Sequence, residues 1–315
     1  MSRTTGGVVA VAAAALALPL LLPGPYHRHV LVLAGLFTLM ALGFDLVLGY
    51  LGELSLGHAA FFGIGAYTTA LLTRHFSVPF PLDLLLAGLF TGIFGLLIGA
   101  PSLRLRGPYF AIVTFGFAEI LHLVALNWTS LTRGPMGLPD IPHPQLGPFR
   151  ITTELGYYYL VLALIGVAML ATRRLLESTV GHAFLAIREN EELASAAGIP
   201  TFRFKLLAFV IGMIFAGAAG SVYARYVHFV DPTALSFYYT VTVVSMVIVG
   251  GQGSIAGTTL GALVFTLVPE YLRVAERARL MIFGALLMLA IIFMPDGLRG
   301  IWRRARPPRR DRLLA

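Results

Sequence analysis

The sequence predicts an all-α polytopic membrane protein, a bundle of about ten transmembrane segments with the N- and C-termini both cytoplasmic. Three observations predict it. Hydrophobic residues make up 57% of the 315-residue chain and Asp, Glu, Lys and Arg only 12%, about half the charged share of a typical soluble domain. Apolar runs recur at close to the ~20 residues a helix needs to cross the hydrocarbon core. The net charge of +8 sits mostly in the tail: Arg299–Ala315 holds seven Arg against one Asp, which accounts for +6 and leaves +2 for the rest. A nucleic-acid-binding body is therefore not implied. With no Cys in the chain, disulfide frameworks, Cys-based zinc sites and thiol catalysis are excluded.

The first five runs lie near Gly7–Leu22, Val30–Tyr50, Ser55–Thr73, Leu82–Ala100 and Pro108–Asn127. The other five lie near Leu155–Thr172, Lys205–Tyr226, Ser236–Gly250, Ile255–Leu272 and Leu280–Pro295. The first follows Arg3 and also has the outline of a secretory signal, with no clear cleavage site before the second run. The eighth has 15 residues, about 22 Å at 1.5 Å per residue, so it spans only with tilt or thinning of the bilayer. With the ninth it forms either a second pair of spans or two half-helices joined at Gly250–Ser254, the sequence GGQGS. Unwound backbone at membrane depth must be buried or line a water-filled cavity, so Gly250, Gly251, Gly253 and Ser254 are candidates for a translocation path.

Orientation follows from Lys and Arg in short loops. Arg104 and Arg106 lie in one turn, Arg173, Arg174, Arg188, Arg203 and Lys205 in or next to the segment 173–204, and seven Arg in the tail. Two crossings separate the first group from the second and four more lead to the third, so all three can be cytoplasmic. The loop Trp128–Thr153 then lies outside, as does the turn Arg273–Arg279, an exception with three Arg. Residues 1–298 read as one transmembrane domain with 173–204 cytoplasmic, and 299–315 as a basic cytoplasmic tail against anionic headgroups.

Small residues recur four apart: Gly88/Gly92 and Gly95/Gly99 in the fourth run, Gly212/Ala216/Gly220 in the seventh, Gly257/Gly261 in the ninth. Such stripes let helices approach closely in lipid and predict a dense bundle. Glu119 lies 11 residues beyond Pro108, about 16 Å along a helix axis, and His122 shares its face. An ionisable group at that depth costs at least about 2.5–3.5 kcal/mol, so the pair reads either as the lining of a solute path or as a clamp between helices. Asp45, Glu53 and His58 flank the turn Gly49–Gly57 near the cytoplasmic face, where water is in reach and burial is expected to cost little.

The 32 residues Arg173–Phe204 are too many for a plain turn. Their middle, AIRENEELASAAG, predicts one short helix from about Ala186 to Ala197, ended by Gly198 with Pro200 beyond. Glu189, Glu191 and Glu192 suit its N-terminal half. It reads as a docking element or as an ordinary surface helix. The single Lys, Lys205, follows Phe204, so no G-x-x-x-x-G-K-[ST] phosphate loop exists; G-x-S-x-G and H-E-x-x-H are absent too. Any ATP-driven step must use another subunit.

Several segments together resemble the permease subunits of branched-chain amino-acid ABC importers, the LivM-like branch. They are Gly49–Tyr67, Pro101–Ile120, Gly181–Phe209, Val247–Ala262 and the ending Phe293–Gly300, spread over most of Tyr50–Gly300. Glu192-Leu193-Ala194 through Gly198 is similar to the E-A-A-x-x-x-G pattern of importer permeases, with Leu193 in place of the first Ala. The resemblance makes this segment the coupling helix, with Arg188, Glu189, Glu192, Ala194 and Gly198 as its candidate residues. Glu53 stands where the family pattern has Gln. The resemblance further implies a second, LivH-like permease subunit, two cytoplasmic ABC ATPases that bind the ATP, and a periplasmic substrate-binding protein. It implies a bacterial inner-membrane location, no catalytic residue, cofactor, metal or nucleic acid on this chain, and import of branched-chain (hydrophobic) amino acids by alternating access. Urea and short-amide permeases share the framework. From the residues alone, an ion-coupled secondary transporter working through Glu119 and His122 also stays open, whereas an integral membrane enzyme lacks a dense enough polar cluster.

Overall fold

The computed structural model describes residues 13–21, 24–76 and 78–271, with the single positions 284 and 288. The tenth run, the turn Arg273–Arg279 and the tail lie outside the described residues. A helical stretch α1 (residues 13–21) is followed by α2 (Pro25–Asp45), which runs on through a π-turn, Leu46–Tyr50. Then come α3 (His58–Phe76), α4 (Phe80–Ser102), α5 (Pro108–Asn127), the short α6 (Thr129–Thr132) and α7 (Glu154–Leu176). After α8 (Thr179–Glu189) and α9 (Glu191–Ala196) follow α10 (Thr201–Val227), α11 (Phe237–Gly250) and α12 (Ile255–Tyr271). α2 with its π-turn, α4, α5, α7 and α10 are each long and apolar enough to cross a membrane. The second to seventh runs are thus each one helix, with ends displaced by a few residues from those the hydropathy suggests. Part of the first run is α1, where the Tyr158 hydroxyl of α7 donates to the Ala15 carbonyl at 2.7 Å.

α2 and α10 form the centre. Every residue of α2 from Val30 to Asp45 is buried except Leu33 and Phe37, as expected for a helix apolar on all sides. The small-residue stripes do lie at helix crossings. A Cβ on Gly212 would meet the Gly43 carbonyl of α2, one on Gly220 would strike the Phe62 carbonyl of α3, and one on Gly261 would strike the Met246 carbonyl of α11. Gly95 and Gly99 of α4 face Met213 and Phe209 of α10. In lipid, where burying apolar surface gives no drive for association, this close van der Waals contact holds helices together.

The bundle has two polar ends. At one, Arg225 of α10 is buried and its Nε donates to Asp83 of α4 at 2.8 Å. Its Nη1 donates to the Pro142 carbonyl at 3.0 Å, so one side chain ties two helices to the long loop after α6. That loop is held again by β1 (Leu138–Pro139), paired antiparallel with β4 (Phe229–Val230). Its second strand pair, β2 (Gln145–Leu146) with β3 (Phe149–Arg150), is a hairpin within the loop. Tyr157 donates to the Arg225 carbonyl at 2.6 Å. His143, packed on His228, has its pKa lowered by burial first and then by His228 and Arg150.

From β4 the chain enters the bundle as a 3-10 turn, Pro232–Leu235, packed between α3 and α5, before α11 begins. Gly63 of α3 makes room for Leu235. The eighth run is itself the helix α11, 14 residues or about 21 Å at 1.5 Å per residue, and the buried 3-10 turn lies just ahead of it. Non-helical backbone is tolerated at such depth because it is enclosed by protein.

Candidate functional site

The opposite end of the bundle gathers the turn after α2, the turn after α4, the segment 173–204 and the turn between α11 and α12. The predicted single helix Ala186–Ala197 is in fact two. Asn190 breaks it: its backbone is extended and its Oδ1 accepts the Leu193 N–H at 3.0 Å, starting α9 afresh. Asn competes for backbone hydrogen bonds locally and so favours a cap over a helix interior. Gly198 does end α9, with φ +85°. The Ile199 N–H bonds to the Ala194 carbonyl and the Gly198 N–H to the Ser195 carbonyl, both at 3.0 Å, a Schellman closure that needs a left-handed residue at Gly198.

α9 is seated on the bundle by two contacts. Ala194 is buried among Leu46, Leu51, Phe184, Ile187 and Ala208. Glu191 reaches back to Lys205 of α10, Oε2 to Nζ 2.7 Å, while Glu53 meets the same ammonium at 2.5 Å. Lys205 is 2% exposed and Glu53 9%. Glu189, Leu193 and Glu192 point outward, and Leu193 is 67% exposed. Glu192 also pairs with Arg106 at 2.8 Å, an exposed bridge worth roughly 0–1 kcal/mol. Arg106 and the Arg104–Phe202 contact put the turn after α4 on the same end as the segment 173–204, as the charge distribution requires.

Arg188, on the last turn of α8, donates to the carbonyl of Gly49 in the π-turn. The Asp45 carboxylate, one residue before that turn, accepts the Gly253 N–H at 2.8 Å. Gly49 has no space for a Cβ, which would collide with the Asp45 carboxylate and the Gly253 nitrogen. Gly250 and Gly251 are buried, and the Ser254 Oγ accepts the Gly257 N–H at 3.2 Å to begin α12. The GGQGS turn thus joins α11 to α12 at the same end as α8 and α9. The expectation of cheap, water-reaching positions at Asp45, Glu53 and His58 is corrected: all three are buried. Each has a tertiary partner that hydropathy does not reveal, and for His58 it is the Met40 carbonyl, 3.1 Å from Nε2. Lys205, Glu53 and Glu191 are the cluster that motif reading missed. One signal was present, since no acidic residue stands three or four positions from the single Lys, so its partner had to come from elsewhere in the fold.

Glu119 and His122 are not part of this end. They share one face of α5, Glu119 Oε1 and His122 Nδ1 3.6 Å apart, with side chains 45% and 26% exposed. α5 packs through Phe110, Ala111, Thr114, Ala118 and Ala125 and leaves Ile112, Val113, Ile120 and Leu123 exposed. The pair is therefore carried at the edge of this chain, not enclosed by its core.

Residues 27–291 match the model of a family described as branched-chain amino acid transport system, permease component. Over 286 residues the chain is 36% identical to the high-affinity branched-chain amino acid transport system permease protein LivM of Salmonella typhimurium. That alignment covers 84% of this chain and 67% of the relative. The LivM protein of Escherichia coli is 35% identical over the same shares. The permease protein LivH of Escherichia coli is 27% identical over 299 residues, covering 85% of this chain and 92% of that one. No solved structure matches.

Proposed function

The chain belongs to the branched-chain amino acid transport permease family, and from that membership we propose that it is the membrane permease subunit of an ATP-driven importer of branched-chain amino acids. The observation that carries the reading is α9: a short, capped, acidic helix seated on the bundle through Ala194 and Glu191 while its Glu192 and Leu193, with Glu189 at the end of α8, face outward. A surface so presented suits docking to a partner, and the chain has no phosphate loop of its own. The end bearing α8 and α9 faces the cytoplasm and the end bearing Arg225 faces outside. Two ATPase subunits supply the work, an external binding protein delivers the solute, and a second permease, a LivH-like chain, completes the path. Glu119 and His122 line that path where α5 meets the second permease. A ligand shifts a two-state equilibrium only by its differential affinity for the two states. Nucleotide held at α9 must therefore favour one arrangement of the bundle, while the solute itself needs only weak contacts.

The test uses the absence of native Cys. Ser195→Cys, exposed on α9, is expected to react with an impermeant maleimide in inside-out vesicles and not in intact cells. The purified complex is expected to carry ATPase subunits and to import leucine into proteoliposomes only with ATP. Labelling from outside, or uptake that survives ATP depletion and collapses with an uncoupler, overturns the reading.

A further inference from the structure

We propose that Lys205 is a positioning residue that makes α9, α10 and the turn after α2 move as one body, so that a push received on α9 is transmitted to the centre of the bundle. The inference rests on the importer reading above and deepens it. Its ground is the geometry of one ammonium shared by two carboxylates from different elements. Glu191 comes from α9, Glu53 from the turn between the π-turn and α3, and Lys205 from the first turns of α10. The backbone N–H of Glu53 bonds to the Val47 carbonyl at 3.0 Å, inside the π-turn. Glu53 is thus fastened to the end of α2, the most enclosed helix.

The neighbouring contacts converge on that same turn. Arg188 binds the Gly49 carbonyl from α8, and Asp45 holds the Gly253 N–H of the α11–α12 turn. A π-turn is a local irregularity in a helix and is found frequently at functional sites. The packing here leaves Gly49 no room to change its neighbours without moving them. Displacement of α9 therefore reaches α10 directly through Lys205, α2 through Glu53, and the α11–α12 turn through Asp45. Ala194 alone, a single methyl in a hydrophobic seat, could slide; the second tie is the Lys205 ammonium, 2% exposed, which holds the 26% exposed Glu191 carboxylate of α9 and the nearly buried Glu53 carboxylate at once, and a buried ammonium is costly to strip of its carboxylates. The exposed Glu192–Arg106 pair carries no such cost.

The experiment compares two variants of the full complex in proteoliposomes, measuring leucine uptake and ATP hydrolysis on the same vesicles. Lys205→Met alone leaves two carboxylates facing each other and is expected to reduce the amount of assembled complex. The triple variant Lys205→Met, Glu53→Gln, Glu191→Gln removes all three charges together, a change that buried ion clusters often tolerate. It is expected to assemble and hydrolyse ATP near the parental rate, while leucine moved per ATP falls about fivefold or more, the lower end of ordinary coupling between sites. A triple variant with the parental ratio overturns the proposal. So does one that fails to assemble, because the cluster is then a requirement of folding and not of transmission. Failure of the importer reading is separate: it shows in the parental chain, as absence of ATP-dependent uptake.

Discussion

At the residue scale the two buried cations, Lys205 and Arg225, hold opposite ends of α10. Neither would be stable in an apolar bundle without a carboxylate at hydrogen-bond distance, and each has one. Arg225 also stacks over Phe80, its guanidinium carbon 5.5 Å from the ring centroid. Arg225→Met strands the Asp83 carboxylate, and breaking a buried pair from one side costs about 3–5 kcal/mol. The thermal unfolding midpoint in detergent is expected to drop clearly, and adding Asp83→Leu is expected to recover most of it. A single variant as stable as the double one would show that Asp83 finds another partner. Hydropathy places Glu119, His122, Asp45, Glu53 and His58 near or within spans but gives only their depth. Which of them is buried depends on what packs around each, and that inverted the expectation for Asp45 and Glu53.

At the element scale the break at Asn190 divides the segment 173–204 between an anchoring helix and a presenting one. α8 buries Gly181, Ala183, Phe184 and Ile187, whereas α9 buries only Ala194. Gly198 was legible beforehand, because a Gly followed by Ile and Pro stops a helix by local chemistry. The break at Asn190 was not, since helix periodicity passes through it without interruption. Gly198→Val forces a β-branched residue into the left-handed region, costing more than the ~1–2 kcal/mol of an ordinary side chain there. No other group lies within 4 Å of the added Cβ, so the effect is one of backbone conformation. Uptake is expected to be lost with the chain still inserted, and Gly198→Asn, which tolerates that region, is expected to retain much of it. Equal loss in both variants would instead point to direct contact at this position.

On the scale of the whole molecule, the chain encloses α2 and α10 but leaves α5 attached by one face, with an ionisable pair on its open side. A bundle that formed a complete pore alone would turn those groups inward. Under the importer reading proposed above, that side of α5 meets the second permease chain. Glu119→Gln is expected to retain assembly and thermal stability, because Gln keeps the shape of the side chain and removes a charge that is costly at this depth. If the carboxylate contributes ~1 kcal/mol to the transport barrier, uptake slows roughly fivefold. Unchanged uptake and pH dependence would return Glu119 to a packing role.

Composition and spacing alone settle that the chain is helical and membrane-embedded, roughly where its long apolar helices lie, and that the turn after α4 and the segment 173–204 share one end. Those properties depend on transfer of side chains to lipid and on local backbone chemistry, which act residue by residue and can be summed along a line. The meeting of Lys205 with Glu53 and Glu191, of Asp45 with Gly253, and of Arg188 with Gly49 was decided only in three dimensions. A buried charge takes whichever partner the packing of α2, α9, α10 and the α11–α12 turn brings within about 3 Å, and that packing is set by glycine contacts between helices whose pairing no local pattern encodes.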